Sequence, residues 1–243
     1  MASPVKLYQK EMHDNMGFYA TWLPGEPMQV GDVGAFEKGR FTKLASLAEL
    51  GIPSEVLAAT TSQDVSYTSK QGTRTSLAAG AAVAGAAKAQ LSIEFSREGA
   101  FLFSAERLRS RRLEGRLAIV EAMVEAYKAG RWKKEWLLVE SLYSAERVTI
   151  IVSEDRSAEI VLGAETAGPI SVASLANPKL GLSVVSTRGR LVHIVGGEGL
   201  TPLYSCLRLE DPLFGDPAVR AVRGAGGARD AISKPAIDEL LES

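Results

Sequence analysis

With 243 residues, 46% of them hydrophobic and 23% charged, the chain has the composition of a soluble globular protein able to bury a core. A formal net charge of −1 gives no global electrostatic case for a nucleic-acid partner. The single cysteine, Cys206, excludes an intramolecular disulfide, and with only His13 and His193 beside it no Cys/His cluster of zinc-site spacing exists.

In chain order, Ser3-Pro4 predicts a helix start with Ser3 as N-cap, and Val5, Tyr8 and Met12 recur at helical spacing until Gly17. Phe18–Leu23 reads as a strand broken by Pro24-Gly25. A second strand is expected over Met28–Phe36, with a turn at Glu37–Gly39 and a return over Arg40–Leu44. Gly31-Asp-Val-Gly34 reads as a bulge or turn. Ser46-Leu-Ala-Glu49 has capping-box spacing and predicts a short helix ending at Gly51-Ile-Pro53.

The small-residue run 77–87 is too short to cross a membrane as a helix and meets Lys88 at once. It leads into a strictly alternating segment, Ala87–Phe95. There Ala87, Ala89, Leu91, Ile93 and Phe95 share one face, and Lys88, Gln90, Ser92 and Glu94 the other. Ser96–Gly99 reads as a turn and Ala100–Ala105 as the returning strand of a hairpin. Arg107, Arg109, Arg111, Arg112 and Arg116 then form a positive cluster, read as a solvated connection and helix start or as a contact for anionic headgroups.

Arg116–Lys128 predicts a helix whose apolar face is Leu117, Val120, Met123, Val124 and Tyr127, ended by Gly130. Leu137–Tyr143 and Val148–Val152 read as strands. A polar turn at 153–156 and a return over Ala158–Leu162 make a second hairpin. Leu180–Ser186 and Arg190–Val195 form a third pair around Thr187-Arg-Gly189, and Leu203–Leu209 a last strand. Arg223–Arg229, rich in Gly and Arg, has linker composition, and Ser233–Leu241 reads as a short amphipathic helix. The order predicts an α+β fold with a largely antiparallel sheet.

Catalytic chemistry is not in evidence. His13 reads as a surface-helix histidine, His193 as a packed or edge histidine, and Cys206 as a buried structural residue. Gly196-Gly-Glu-Gly199 lacks the Lys-Ser/Thr of a phosphate loop, and Glu154-Asp155 reads as solvated turn charge. The N-terminus lacks a basic start and long apolar core, so a cytoplasmic location is expected.

The N-terminal helix, the small-residue lead-in, the hairpin at 87–105, the helix followed by Trp136–Tyr143, and the hairpin at 146–163 together resemble the gasdermin pore-forming domain in its short bacterial form. The resemblance implies a twisted, mainly antiparallel sheet flanked by helices over residues 1–222, then a linker and helical tail at 223–243. It implies a non-enzymatic effector of antiphage defence and cell death, without cofactor or metal, monomeric and cytoplasmic at rest. Removal of the tail by a partner protease, with Arg223 and Arg229 as candidate cleavage points, would release it. Ile232, Ile237, Leu240 and Leu241 would dock the inhibitory tail.

The released chain would assemble with copies of itself in the inner membrane. Leu91, Ile93, Phe95, Phe101 and Phe103 of the first hairpin would meet lipid, as would Val148, Ile150, Val152, Ile160 and Leu162 of the second. Arg107, Arg109, Arg111 and Arg112 would meet headgroups. The chain begins Met-Ala-Ser-Pro, departing from the lipid-modified N-terminal cysteine of many bacterial members. The competing expectation is a protein- or ligand-binding α+β domain of a cytoplasmic bacterial protein, because alternating strands build any one-sided antiparallel sheet.

Overall fold

The computed structural model describes residues 4–21, 27–37, 40–78, 89–165, 170–210 and 218–222. In order these form α1 (Pro4–Met16), β1 (Tyr19–Ala20), β2 (Asp32–Glu37), β3 (Arg40–Ser46), β4 (Val56–Ala58), β5 (Gln63–Thr68), β6 (Thr73–Ala78), β7 (Gln90–Phe95) and β8 (Phe101–Leu113). There follow α2 (Arg116–Lys128), β9 (Leu137–Ser153), β10 (Ala158–Gly163), 3-10 turns at Val172–Ser174 and Pro178–Leu180, β11 (Ser183–Arg188), β12 (Leu191–Glu210) and β13 (Ala218–Val222). The fold is α+β, and the strand pairings with a described register are all antiparallel.

Helix ends follow local chemistry. Pro4 opens α1, where its missing N–H costs nothing. Gly17 closes it at φ 75°, donating to the His13 carbonyl at 2.9 Å. Ser3 lies outside the described residues. His13 is buried rather than on the surface, its ring 4.7 Å from that of Tyr19. At Ser46 the capping chemistry forms: its hydroxyl donates to Glu49 Oε2 at 2.8 Å and accepts from the Glu49 N–H at 3.3 Å. The expected helix does not follow. The chain makes a turn that ends at Gly51 with φ 70°.

The chain folds as two compact units, each assembled from three stretches. In the second unit (residues 12–60, 109–143 and 201–243) the strand order is β1-β12-β9-β2-β3, with β13 on β12 and β4 on the end of β8. The bulge expected at Gly31–Gly34 is present as a register shift between Val33 and Gly34. α2 packs through Ile119, Met123 and Ala126 onto Val33, Leu47, Leu138 and Trp132. That face is rotated from the expected one, and Leu117 stands 79% exposed. A second cluster gathers Tyr19, Phe36, Leu142, Tyr204 and Cys206.

The first unit (residues 1–11, 61–108 and 144–200) holds two sheets. One has four strands in the order β11-β10-β7-β6. The other is built from β5, β8 and β9, where the Gly99 and Ser153 N–H groups donate to the Ser153 and Ala100 carbonyls at 2.9 Å or less. Between the two lies the unit's core, with Leu91, Ile93, Ile160 and Leu162 from the four-stranded sheet and Leu102 and Ile151 from the other.

This topology corrects the expected hairpins. β7 and β8 are consecutive but do not pair: β7 bonds β6 and β10, while β8 bonds β4, β5 and β9. Likewise β9 does not pair β10, and β11 does not pair β12. The segments 96–100, 154–157 and 189–190 are corners where the chain changes sheet. The physical reason is burial on both sides: Phe101–Ala105 and Val148–Ser153 are continuous buried runs, as expected of strands covered on both faces. A second correction concerns the arginine cluster. Its first four members lie within β8, which runs on to Leu113, with Arg107 at φ 51°, while Arg116 opens α2 as expected.

Candidate functional site

The four-stranded sheet of the first unit is two true hairpins side by side. β6 and β7 pair from Thr73↔Phe95 to Ala78↔Gln90. β10 and β11 pair from Glu159↔Arg188 to Gly163↔Ser183, with one bulge at Val161/Leu162. β7 and β10 join them in unbroken register from Ala158↔Phe95 to Gly163↔Gln90. The ladder runs one rung further, since the Ala164 N–H donates to the Ala89 carbonyl at 2.9 Å.

Because successive side chains alternate, each rung gives a row of four residues on one face. Leu77, Leu91, Leu162 and Val184 form one row, and Thr75, Ile93, Ile160 and Thr187 the next. The central members of these rows are buried in the unit's core, whereas Leu77 and Val184 at the edges are 66% and 39% exposed. The other face carries Ser76, Ser92, Val161 and Ser186, then Arg74, Glu94, Glu159 and Arg188. There Glu159 accepts from Ser92 Oγ at 2.7 Å and lies 3.4 Å from Arg188 Nη2. One face is apolar and the other carries charge and hydroxyls.

Of the ten expected lipid-facing residues, this sheet brings five together: Leu91, Ile93, Phe95, Ile160 and Leu162 share one buried core. The other five lie on β8 and β9. Phe101 packs against Tyr8 at 4.8 Å and Tyr67 at 5.6 Å. Phe103 is buried on the same strand, and Val148, Ile150 and Val152 are buried on β9. Tyr8, fully enclosed, has its phenol pKa driven up by burial.

The four expected headgroup arginines are all exposed along β8. Arg107 pairs with Glu146 at 3.0 Å, and its N–H donates to Asp64. Arg111 and Arg112 face Ala58 and Leu57 of β4. The cleavage candidates Arg223 and Arg229 and the tail residues Ile232, Ile237, Leu240 and Leu241 lie outside the described residues.

Sequence reasoning missed β6 and β11 as the hairpin partners. The signal in β6 was present but faint, since Thr73, Arg74, Thr75, Ser76 and Leu77 alternate with threonine, not aliphatic residues, on the dry side.

The corner at 154–157 is held by Asp155. Its Oδ1 accepts from Arg190 Nη2 and Nε at 2.9 and 3.1 Å, and its Oδ2 from the Arg190 N–H at 2.8 Å. Cys206 is fully buried, and burial, with a lesser push from Glu140, holds its thiol well above the ordinary range. Gly196 and Gly199 lie inside β12, at φ 64° and 63°, as irregularities of a strand. An open cavity of about 250 Å³ is lined by Asp64, Glu106, Ser171, Ser174 and Asn177. Its serines are engaged with one another. Among the described residues no group of three or more His, Cys, Asp or Glu could hold a metal ion, and no helix is long and apolar enough to cross a membrane.

No protein-family model matches the chain, and no curated protein matches its sequence. Among solved structures, the cryo-EM structure of the gasdermin A3 membrane pore is similar to 90% of this chain and 95% of the other, with 10% identity and a TM-score of 0.41.

Proposed function

We propose that this chain is a non-enzymatic pore-forming protein, and that the two hairpins of its four-stranded sheet are the segments that enter the membrane. The observation that carries this reading is the sheet itself: two adjacent antiparallel hairpins in shared register, apolar on one face and polar on the other. A strand of a membrane barrel needs that alternation and about 9–11 residues. β6 and β7 are six residues each, but the segment between them is Ala, Gly and Val without a charge until Lys88. Drawn into the hairpin, it would lengthen both strands to about ten residues. The segment 164–182 supplies the same length to β10 and β11.

In the inserted form Leu77, Leu91, Ile93, Phe95, Ile160 and Leu162 would meet lipid, and Ser92, Glu94 and Glu159 water. At rest the central apolar residues are covered by Leu102 and Ile151, which supports a soluble resting form with its lipid face hidden. Self-assembly follows from the backbone: an open sheet edge in hydrocarbon leaves N–H and C=O groups without partners, so the sheets of many copies must join and close. The exposed arginines of β8 supply a short-range attraction to anionic headgroups.

Activation by a partner protease belongs to the same proposal. β13 is paired to β12 up to Val222, and the Gly/Arg linker begins at the next residue. A cut at Arg223 or Arg229 would therefore detach the tail bearing Ile232, Ile237, Leu240 and Leu241 and leave β13 in place. The resting form would be cytoplasmic, and the inner membrane its target.

The test compares the full chain with a chain ending at Val222 on dye-loaded anionic liposomes. Release by the truncated chain alone is expected. Retention of dye by liposomes across neutral and anionic compositions, with the truncated chain folded, would overturn the proposal.

A further inference from the structure

We propose that Arg74 and Arg188 form an electrostatic gate on self-association, opposing one another where β6 of one copy would join β11 of the next. The inference rests on the sheet continuing from copy to copy, as the pore reading requires, and adds what holds resting copies apart.

Among the described residues β6 and β11 are the two ends of the four-stranded sheet, so each has one ladder partner and one open side within it. All neighbours in the sheet are antiparallel, and four is even, so β6 and β11 run in opposite directions. A second copy displaced along the sheet therefore sets its β6 antiparallel to the first copy's β11. This contact is head-to-tail and continues the alternation without a break.

The rows single out a second copy as the occupant of these edges. Carried across the seam, the strand registers set Val184 beside the next copy's Leu77, Thr187 beside Thr75 and Ser186 beside Ser76. Apolar, Thr–Thr and Ser–Ser cross-strand pairs are each favourable. Leu77 and Val184 are the exposed ends of an otherwise buried row, and a second copy would cover both. The remaining row conflicts. It reads Arg74, Glu94, Glu159, Arg188, so a repeat brings Arg188 against Arg74.

Like charges directly opposite destabilise a strand pair, and arginine is long enough to reach diagonal neighbours, so a small slip does not relieve the clash. Each arginine has a carboxylate on its inner side, which moderates the repulsion without reversing it. Charged residues at open edges are a general means of preventing edge-to-edge pairing. Here the matched rows would promote the seam and one row restrains it.

The experiment uses the full chain in solution without lipid, with sedimentation velocity to read its assembly state. Arg74→Glu and Arg188→Glu each convert the seam pair to Arg–Glu and should strengthen association by about five- to tenfold. The double variant restores like charges as Glu–Glu and should return to the wild-type monomer. Raising salt from 50 to 500 mM should strengthen association of the wild type and weaken that of the single variants.

Single and double variants that associate alike, or none that departs from wild type, would overturn the gate. Should the glutamate variants fail to fold, Arg74→Gln/Arg188→Gln decides: stronger association than wild type supports the gate, and unchanged association removes it. Association of the single variants without liposome leakage by the chain ending at Val222 would leave the seam standing and remove the pore. Equal leakage by all charge variants with unchanged solution state would do the reverse.

Discussion

Gly34 has no room for a side chain. A Cβ there would collide with the Thr42 carbonyl oxygen and lie 2.8 Å from the Phe41 ring, at the bulge where β2 shifts register on β3. The obstructing atom is backbone, so it cannot rotate away, and Gly34→Ala should cost about 1–3 kcal/mol, read as a lower urea midpoint at unchanged slope. Close by, Lys43 Nζ donates to buried Asp32 Oδ1 at 2.7 Å, and that hydrogen bond raises the lysine pKa. A raised pKa stabilises the fold fully below the ordinary lysine value of about 10.4, and the contribution disappears as pH rises through the folded-state value. Lys43 is half exposed, so the effect is a modest one. Between pH 9 and 11.5 the urea midpoint should fall less steeply in Lys43→Met than in the wild type.

α2 shows what periodicity does and does not settle. Its limits are legible because they are local: Gly115 precedes it, and beyond its end Gly130 turns at φ 72° with its N–H on the Tyr127 carbonyl. Its buried face is decided by what covers it, and there Ile119, Met123 and Ala126 win over the more apolar-looking stripe through Leu117. Met123→Ala should therefore cost about 2–4 kcal/mol, while Leu117→Gln should stay within about 0.5 kcal/mol of wild type in the same denaturation measurement. Strands pose the harder problem. Alternation at 87–95 reports one dry face but not which neighbour lies beside it, and a four-residue connection reads as a hairpin turn. At 96–100 the Ser96 N–H instead bonds the Gly72 carbonyl, and Gly99 turns at φ 75° against Leu7. The chain leaves one sheet and enters another. Long-range pairing of this kind is absent from any local window, which is why half of the expected lipid-facing residues fall on β8 and β9.

At the scale of the whole molecule, the candidate inserting sheet lies within one compact unit, and its dry face is that unit's core. The resting fold and the proposed barrel therefore need the same side chains, Leu91, Ile93, Ile160 and Leu162, on the same side of the same strands. That double use explains why the dry-face pattern was legible in the sequence while its destination was not: burial against Leu102 and burial in lipid ask for the same residues.

The extra rung between Ala89 and Ala164 has a consequence of its own. It sits where the β7–β10 ladder leaves its last formal pair, Gly163↔Gln90, and fastens the two hairpins one step further. The two hairpins thus carry a ready-made zip fastener whose slider lies at least one tooth past the resting strands. If insertion pulls that slider onward, then welding the first tooth should do no harm: Ala89→Cys/Ala164→Cys, oxidised in the chain ending at Val222, should leak liposomes as readily as its reduced form. Leakage that appears only after reduction would mean that the hairpins must part before they lengthen.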